Sequence, residues 1–173
     1  FSLLQQHAQR APDAACVVHL ESGTTLSYQG AWQAAQRLAR LLAEHGVGRR
    51  DRVVFAVRNH WLIFPLLAAC SARRAILVPV DPELHRDELA FILSDAAPAL
   101  TIAADGVAVP GGGRATLTLT QLLAALANTA APHTVRGERS EAESNHAALM
   151  DDHGADTALM FDHRGADAAL AIY

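Results

Sequence analysis

Hydrophobic residues along the first hundred or so positions switch repeatedly between a helical period and short continuous runs. Residues 1–10 have the pattern of a short amphipathic helix, with Ser2 as N-cap and Pro12 ending it. Ala14 to Leu20 is β-rich, Glu21-Ser22-Gly23-Thr24 carries turn chemistry, and Leu26-Ser27-Tyr28 extends again, which predicts a hairpin. From Gln29 to His45 the period becomes helical. Ala31, Ala35, Leu38, Leu41 and Leu42 share one face, Arg37, Arg40 and Glu44 lie off it, and Gly46 suits the residue after the helix.

The next stretch repeats one theme. Arg52 to Val57 is a β-branched apolar run, followed by a helix through Leu66 to Ser71 with Asn59 as N-cap and Pro65 early in it or kinking it. Ala75 to Val80 is a second buried run, punctuated by Pro79 and Pro82. Glu83 to Asp95 follows as a helix with Leu84, Leu89, Ile92 and Leu93 on its apolar face, and Ala99 to Ala103 is a third run. Strands apolar on both faces, alternating with helices, predict an α/β fold: a doubly wound, mostly parallel sheet with helices on both faces. Val53, Val54, Ile76, Val78, Leu100 and Ile102 are the expected buried strand residues.

Beyond Asp105 the pattern thins. Pro110 to Gly113 is a loop, Ala115 to Leu119 a short strand, and Thr120 the expected cap of a helix through Ala127. Asn128 to Asp156 is polar and poor in large apolar side chains. It offers too little surface to offset the cost of ordering, so 128–156 is expected to be the most mobile segment. Two apolar pieces follow, Thr157 to Phe161 and Ala168 to Tyr173, behind similar hexapeptides at 154–159 and 165–170. Two copies are too few for a repeat architecture.

Composition removes several function classes. The 173 residues hold 18 acidic and 14 basic side chains for a net charge of −4, which disfavours a nucleic-acid or anionic-membrane footprint. All 14 basic residues are arginine, so chemistry that needs a lysine ammonium cannot come from these residues alone. Cys16 and Cys70 form no CxxC pair and sit in apolar runs, the pattern of buried free thiols in a cytoplasmic protein. No stretch approaches the ~20 apolar residues of a membrane span, and no signal peptide is visible. The chain begins at Phe1 and stops within an apolar run, as a piece of a longer protein would.

Candidate chemistry is sparse. His146, Asp151, Asp152, His153, Asp162 and His163 lack the tight spacings of zinc sites and fit a solvated loop better. Gly111 to Gly113 follow Val109-Pro110 and lead into a β-like segment, so they read as a turn; a phosphate cradle opens onto a helix. Glu83, Asp87 and Glu88 lie where a helix dipole favours acids. Ser2, Ser27 and Ser94 lack a nucleophile elbow. No catalytic, cofactor-binding or metal-ligating residue is assigned.

Five pieces in register over residues 3–104 nevertheless resemble the AMP-forming acyl-CoA synthetase and adenylation-domain superfamily. His7 to Ala15 followed by Leu26-Ser27-Tyr28 is similar to that family's "TPDAxA" and "LTYxEL" opening. Arg37 to Leu42 with Gly46-Val47-Gly48 and Asp51-Arg52-Val53 resembles "ANRLAxxLxxxGVxxGDRV". Ala75 to Leu84 and then Glu88 to Ala96 resemble "GAxYVPLDPxxPxxRLxxILxDA". Arg74 departs from the family's usual Gly, which implies a distorted turn or a diverged member.

The resemblance implies that residues 1–173 are the N-terminal part of an AMP-binding domain, the incomplete first subdomain of an adenylate-forming enzyme. Residues 105–156 would be a variable loop or linker region, and Ala166 to Tyr173 the strand that leads into the family's phosphate loop. The parent would be an ATP-dependent ligase that joins a carboxylic acid, fatty or other acyl, to the thiol of CoA or of a carrier protein. ATP and Mg are its expected cofactors, and the remaining part of the domain its physical partner. The fragment itself would be an inactive scaffold, and the lack of a flanking condensation or carrier segment leans toward a CoA ligase. Two other classes stay open: a truncated, non-catalytic α/β interaction module, and an unrelated Rossmann-like nucleotide binder, which the lack of G-x-G-x-x-G disfavours.

Overall fold

Four short parallel strands form the centre of the molecule. The computed structural model describes residues 1–111 and 113–127; the expectations for 128–173, including the mobile segment, the His/Asp group and the last two apolar pieces, lie outside the described residues. Helix α1 (Ser2–Arg10) leads into an antiparallel hairpin of β1 (Ala15–His19) and β2 (Thr24–Ser27). Then come α2 (Tyr28–Glu44), β3 (Arg52–Ala56), α3 (Ile63–Arg73), β4 (Ile76–Pro79), α4 (Arg86–Ala96), β5 (Leu100–Ala103), β6 (Thr116–Thr118) and α5 (Leu119–Ala127). The main sheet has the order β4-β3-β5-β6, and every neighbouring pair is parallel.

The sheet is covered on both faces, as the doubly apolar strands require. Val53, Phe55, Leu77, Leu100 and Ile102 pack with residues of α2, α3 and α5, among them Leu38, Leu66 and Leu122. Val54, Ala56, Val78 and Ala103 turn the other way, onto Leu89, Leu93 and Ala96 of α4. Of the six strand residues expected inside, five are buried; Ile76 is half-buried, because it opens β4 at the edge of the sheet.

Helix ends depart most from expectation. Ser2 lies inside α1, whose N-cap is Phe1 and has no side-chain bond. Tyr28 belongs to α2 instead of β2, because Ser27 Oγ accepts from the Gly30 N–H and starts the helix there. Asn59 does not cap α3, which begins after Leu62 without a side-chain cap. α4 starts at Arg86, so Glu83 and Leu84 precede it, and His85 forms a capping box with Glu88. Thr120 lies within α5; Thr118 Oγ1 accepts from the Gln121 N–H one turn earlier.

Two helices end in the same way with different residues. After α2 the Gly46 backbone is left-handed (φ 70°), and Val47 N–H returns to the Leu42 carbonyl at 2.8 Å. After α3 it is Arg74 that is left-handed (φ 55°), and Ala75 N–H returns to the Cys70 carbonyl at 2.9 Å. The turn that glycine forms in the family is therefore kept undistorted, and arginine carries the left-handed strain of about 1–2 kcal/mol. Gly113 has a different reason to be glycine. Its φ is 82°, and a Cβ there would lie 2.3 Å from the Pro98 carbonyl oxygen.

Three outcomes follow from these contacts. Arg74→Gly should stabilise the chain by about 0.5–1 kcal/mol, the relieved strain less the added freedom of the unfolded glycine. Gly113→Ala should destabilise it by about 2–3 kcal/mol, since backbone or proline must shift; urea midpoints at constant slope measure both. Cys70 is buried among apolar side chains, which pushes its thiol up to about 12. A neutral, enclosed thiol resists disulfide reagents near neutral pH, so native labelling should modify the half-buried Cys16 slowly and Cys70 only on unfolding.

Candidate functional site

An open parallel sheet offers a ligand one preferred place: the carboxyl ends of its strands, where successive crossovers leave in opposite directions. Here β3 feeds β4 on one side, whereas β5, on the other side of β3, feeds β6 away from it. The reversal lies between β3 and β5, beyond the paired residues Ala56 and Ala103. Three loops meet at that end: 57–62 after β3, 80–85 after β4 and 104–107 after β5. Val80 N–H donates to Phe55 O at 3.0 Å and Ala104 N–H to Ala56 O at 3.0 Å, so the loops start from fixed points.

Charged groups at this end are largely committed to structure. Arg58 Nη1 donates to Glu83 Oε1, but both side chains are more than half exposed, so the pair is weak. Asp81 Oδ1 accepts from the Glu83 N–H at 2.9 Å and shapes the turn before α4. Asp87 and Glu88 occupy the first turn of α4, as the dipole argument expects, whereas Glu83 lies outside that helix. Asp105 Oδ2 accepts from both the N–H and the hydroxyl of Thr120, tying the β5 loop to α5. An open depression beside α4 is lined by Asp81, Leu84, Asp87, Glu88, Phe91 and Ile92, with Phe91 exposed.

His19 and His60 are groups that sequence reasoning passed over. β1 points His19 inward, and its ring sits between two partners: Nε2 is 2.9 Å from the Asn59 carbonyl oxygen, and Nδ1 is 2.7 Å from Ser22 Oγ. The His60 ring centroid lies 5.8 Å from that of His19, and its Nδ1 accepts from the Leu62 N–H at 3.2 Å. Burial, then the neighbouring His19, holds the His60 imidazole below its usual value of 6.5. The side-chain alternation of β1 puts His19 on the face of half-buried Val17, away from exposed Val18, which the apolar run Cys16-Val17-Val18 does not reveal in sequence.

The opposite end of the sheet is basic. Arg49, Arg50, Arg52, Arg73, Arg74 and Arg114 gather at the amino ends of the strands, which scattered sequence positions did not reveal. Several act as ties. Arg73 donates through Nε and Nη2 to the Val47 carbonyl, Arg52 donates to the carbonyl of Ala96, the last residue of α4, and Arg114 pairs with Asp51 at 2.9 Å.

Among the described residues no group of three His, Cys, Asp or Glu side chains is placed to hold a metal ion, and no described helix is long and apolar enough to cross a membrane. The described Gly111 and Gly113 lie in the loop before β6, away from any helix N-terminus. Of the serines considered, Ser27 caps α2 and Ser94 is exposed on α4.

Comparisons with known proteins agree on the lineage. The chain is 38% identical over 89 residues to surfactin synthase subunit 3 of Bacillus subtilis, covering 51% of this chain and 7% of that protein. It is 34% identical over 113 residues to novobiocin biosynthesis protein H of Streptomyces niveus, covering 64% of this chain and 18% of the relative. The chain thus spans under a fifth of these relatives. In fold it resembles a fatty acyl CoA synthetase of Mycobacterium tuberculosis, with a TM-score of 0.68 at 24% identity over 79% of this chain and 29% of that one. Residues 4–170 match the family model described as AMP-binding enzyme, and with a parallel, doubly covered sheet in the place that family has one, the chain belongs to the AMP-binding enzyme family.

Proposed function

We propose that the chain is the first subdomain of an ATP-dependent, AMP-forming acid–thiol ligase and supplies its scaffold. The observation that carries this reading is the family match along 4–170, which spans nearly the whole chain. In the proposed reaction a carboxylate oxygen attacks the α-phosphorus of ATP and pyrophosphate leaves, giving an acyl-adenylate. A thiolate then attacks the acyl carbon and AMP departs. ATP and Mg belong to this proposal as the parent's cofactors, held by residues other than those described.

The acid and the thiol form the finer part of the proposal. Sequence relatives named as a nonribosomal peptide synthase and a lipopeptide synthase favour a carrier-bound thiol; the structural neighbour named a fatty acyl CoA synthetase favours CoA. Of the two we favour the carrier thiol, because those two synthases match at 38% and 33% identity and the structural neighbour only at 24%.

The test is acid-dependent exchange of pyrophosphate into ATP. Anion clamping of a triphosphate takes glycine backbone donors at a helix N-terminus, a metal and a lysine or arginine. Without lysine and with a net charge of −4, the purified 173-residue chain should exchange at the blank rate. A longer protein that continues through the family's glycine-rich loop and lysine should exchange with its cognate acid. Exchange by the chain alone would overturn the scaffold reading, and a longer protein inert toward every acid would favour the non-catalytic module.

A further inference from the structure

We propose that His19 and His60 form a proton-operated latch that joins the β1–β2 hairpin to the loop entering α3. The hydrogen-bond partners assign the ring protons. A carbonyl can only accept, so His19 Nε2 carries hydrogen toward Asn59 O, 2.9 Å away. A backbone N–H can only donate, so His60 Nδ1 presents a lone pair to Leu62 N, 3.2 Å away. Both bonds are made to one loop: the first ties the hairpin to it, and the second holds the turn at Leu62, the residue just before α3.

The two rings answer a proton differently. His19 Nδ1 faces the Ser22 hydroxyl, which either donates or accepts, and Ser22 passes the choice on to Thr24 Oγ1 at 2.8 Å. A proton on His19 therefore keeps both of its bonds. On His60 the added proton occupies Nδ1, turns the acceptor into a donor and sets it against the Leu62 N–H. It also places positive charge at the N-terminus of α3, where the helix dipole disfavours it, and beside His19. Few charges compensate. The titratable group facing His60 from β1 is His19; on the same loop Arg58 is exposed and paired with Glu83 of the β4–α4 loop, and Trp61 presents an uncharged ring 5.5 Å away.

The sign of the pH effect follows. His60 is held below 6.5 in the folded chain, so the unfolded chain binds the proton more readily. The latch is complete above 6.5 and is lost as pH falls through the folded-state value. Because the loop 57–62 borders the crevice at the carboxyl ends of β3 and β5, opening the latch frees one wall of that crevice.

Proton and nitrogen NMR of the full 173-residue chain, titrated from about pH 8 to about pH 4, tests this. The Leu62 amide shift should move with the same midpoint as the His60 ring, below 6.5, and Leu62 protection against exchange should fall about ten-fold across it. His19→Gln keeps a donor toward Asn59 but removes the neighbouring charge, so the His60 midpoint should rise toward 6.5. His60→Asn keeps a short acceptor that does not titrate, so Leu62 protection should become independent of pH. A His60 titration that leaves Leu62 unmoved overturns the latch, as does a midpoint unchanged by His19→Gln. The wild-type titration decides the matter even if a variant fails to fold, and ligase activity plays no part in it.

Discussion

Burial of β3 on both faces is the constraint from which the rest of the molecule follows. Val53 and Phe55 point to one side and Val54 and Ala56 to the other, and each is at most 1% exposed. Full burial of a Val or Phe side chain contributes roughly 1.5–3 kcal/mol, but only if both sides are sealed. One layer of helices cannot do that. The chain must cross above the sheet and then below it, placing α2, α3 and α5 on one face and α4 on the other. Crossovers of this kind yield parallel neighbours and bring every strand's carboxyl end to the same edge.

That geometry divides labour between the two ends of the sheet. At the amino end, loops arrive from helix C-termini, and arginines supply donors to carbonyls there: Arg73 to Val47, just past the end of α2, and Arg52 to Ala96, the last residue of α4. At the carboxyl end, loops leave toward helix N-termini whose free N–H groups need acceptors. Thr118 and His85 provide them there, and His60 holds the turn that leads into α3. Donors gather at one end and acceptors at the other because the backbone is polarised the same way in every unit. The histidines are thus placed where a proton changes a backbone bond.

How much of this was legible depends on how many residues vote for each feature. Strand and helix identity rests on several apolar positions together, such as Leu38, Leu41 and Leu42 on α2, and those assignments hold. A cap rests on one hydrogen bond worth about 1 kcal/mol, which neighbours easily redirect. Asn59 was a sound cap on composition, but its carbonyl is held by His19 and the helix starts beyond it. His85 caps α4 although histidine is not among the usual capping residues. The hairpin was legible, whereas the meeting of His19 with His60 was not, because the two are brought together only by the packing of hairpin against sheet. Arg74 lay between these cases. Its departure from glycine was visible, yet only φ shows that the turn survived.

Arginine's role as a tie bears directly on the ligase proposal. A guanidinium is planar, holds its charge at any ordinary pH and offers five N–H donors, so it serves carbonyl ends well. The proton chemistry and mobile point charge of a lysine are beyond it. In a chain whose basic residues are all arginine, several of them spent on Val47, Ala96 and Leu126 carbonyls, positive charge is invested in holding the fold. Acyl-adenylate formation instead needs charge focused on phosphate oxygens as they become more negative. The two demands conflict, since a guanidinium fixed on a helix end is not available to a nucleotide. The scaffold role proposed for this chain, with its cations on structure and phosphate binding left to other residues, would resolve that conflict.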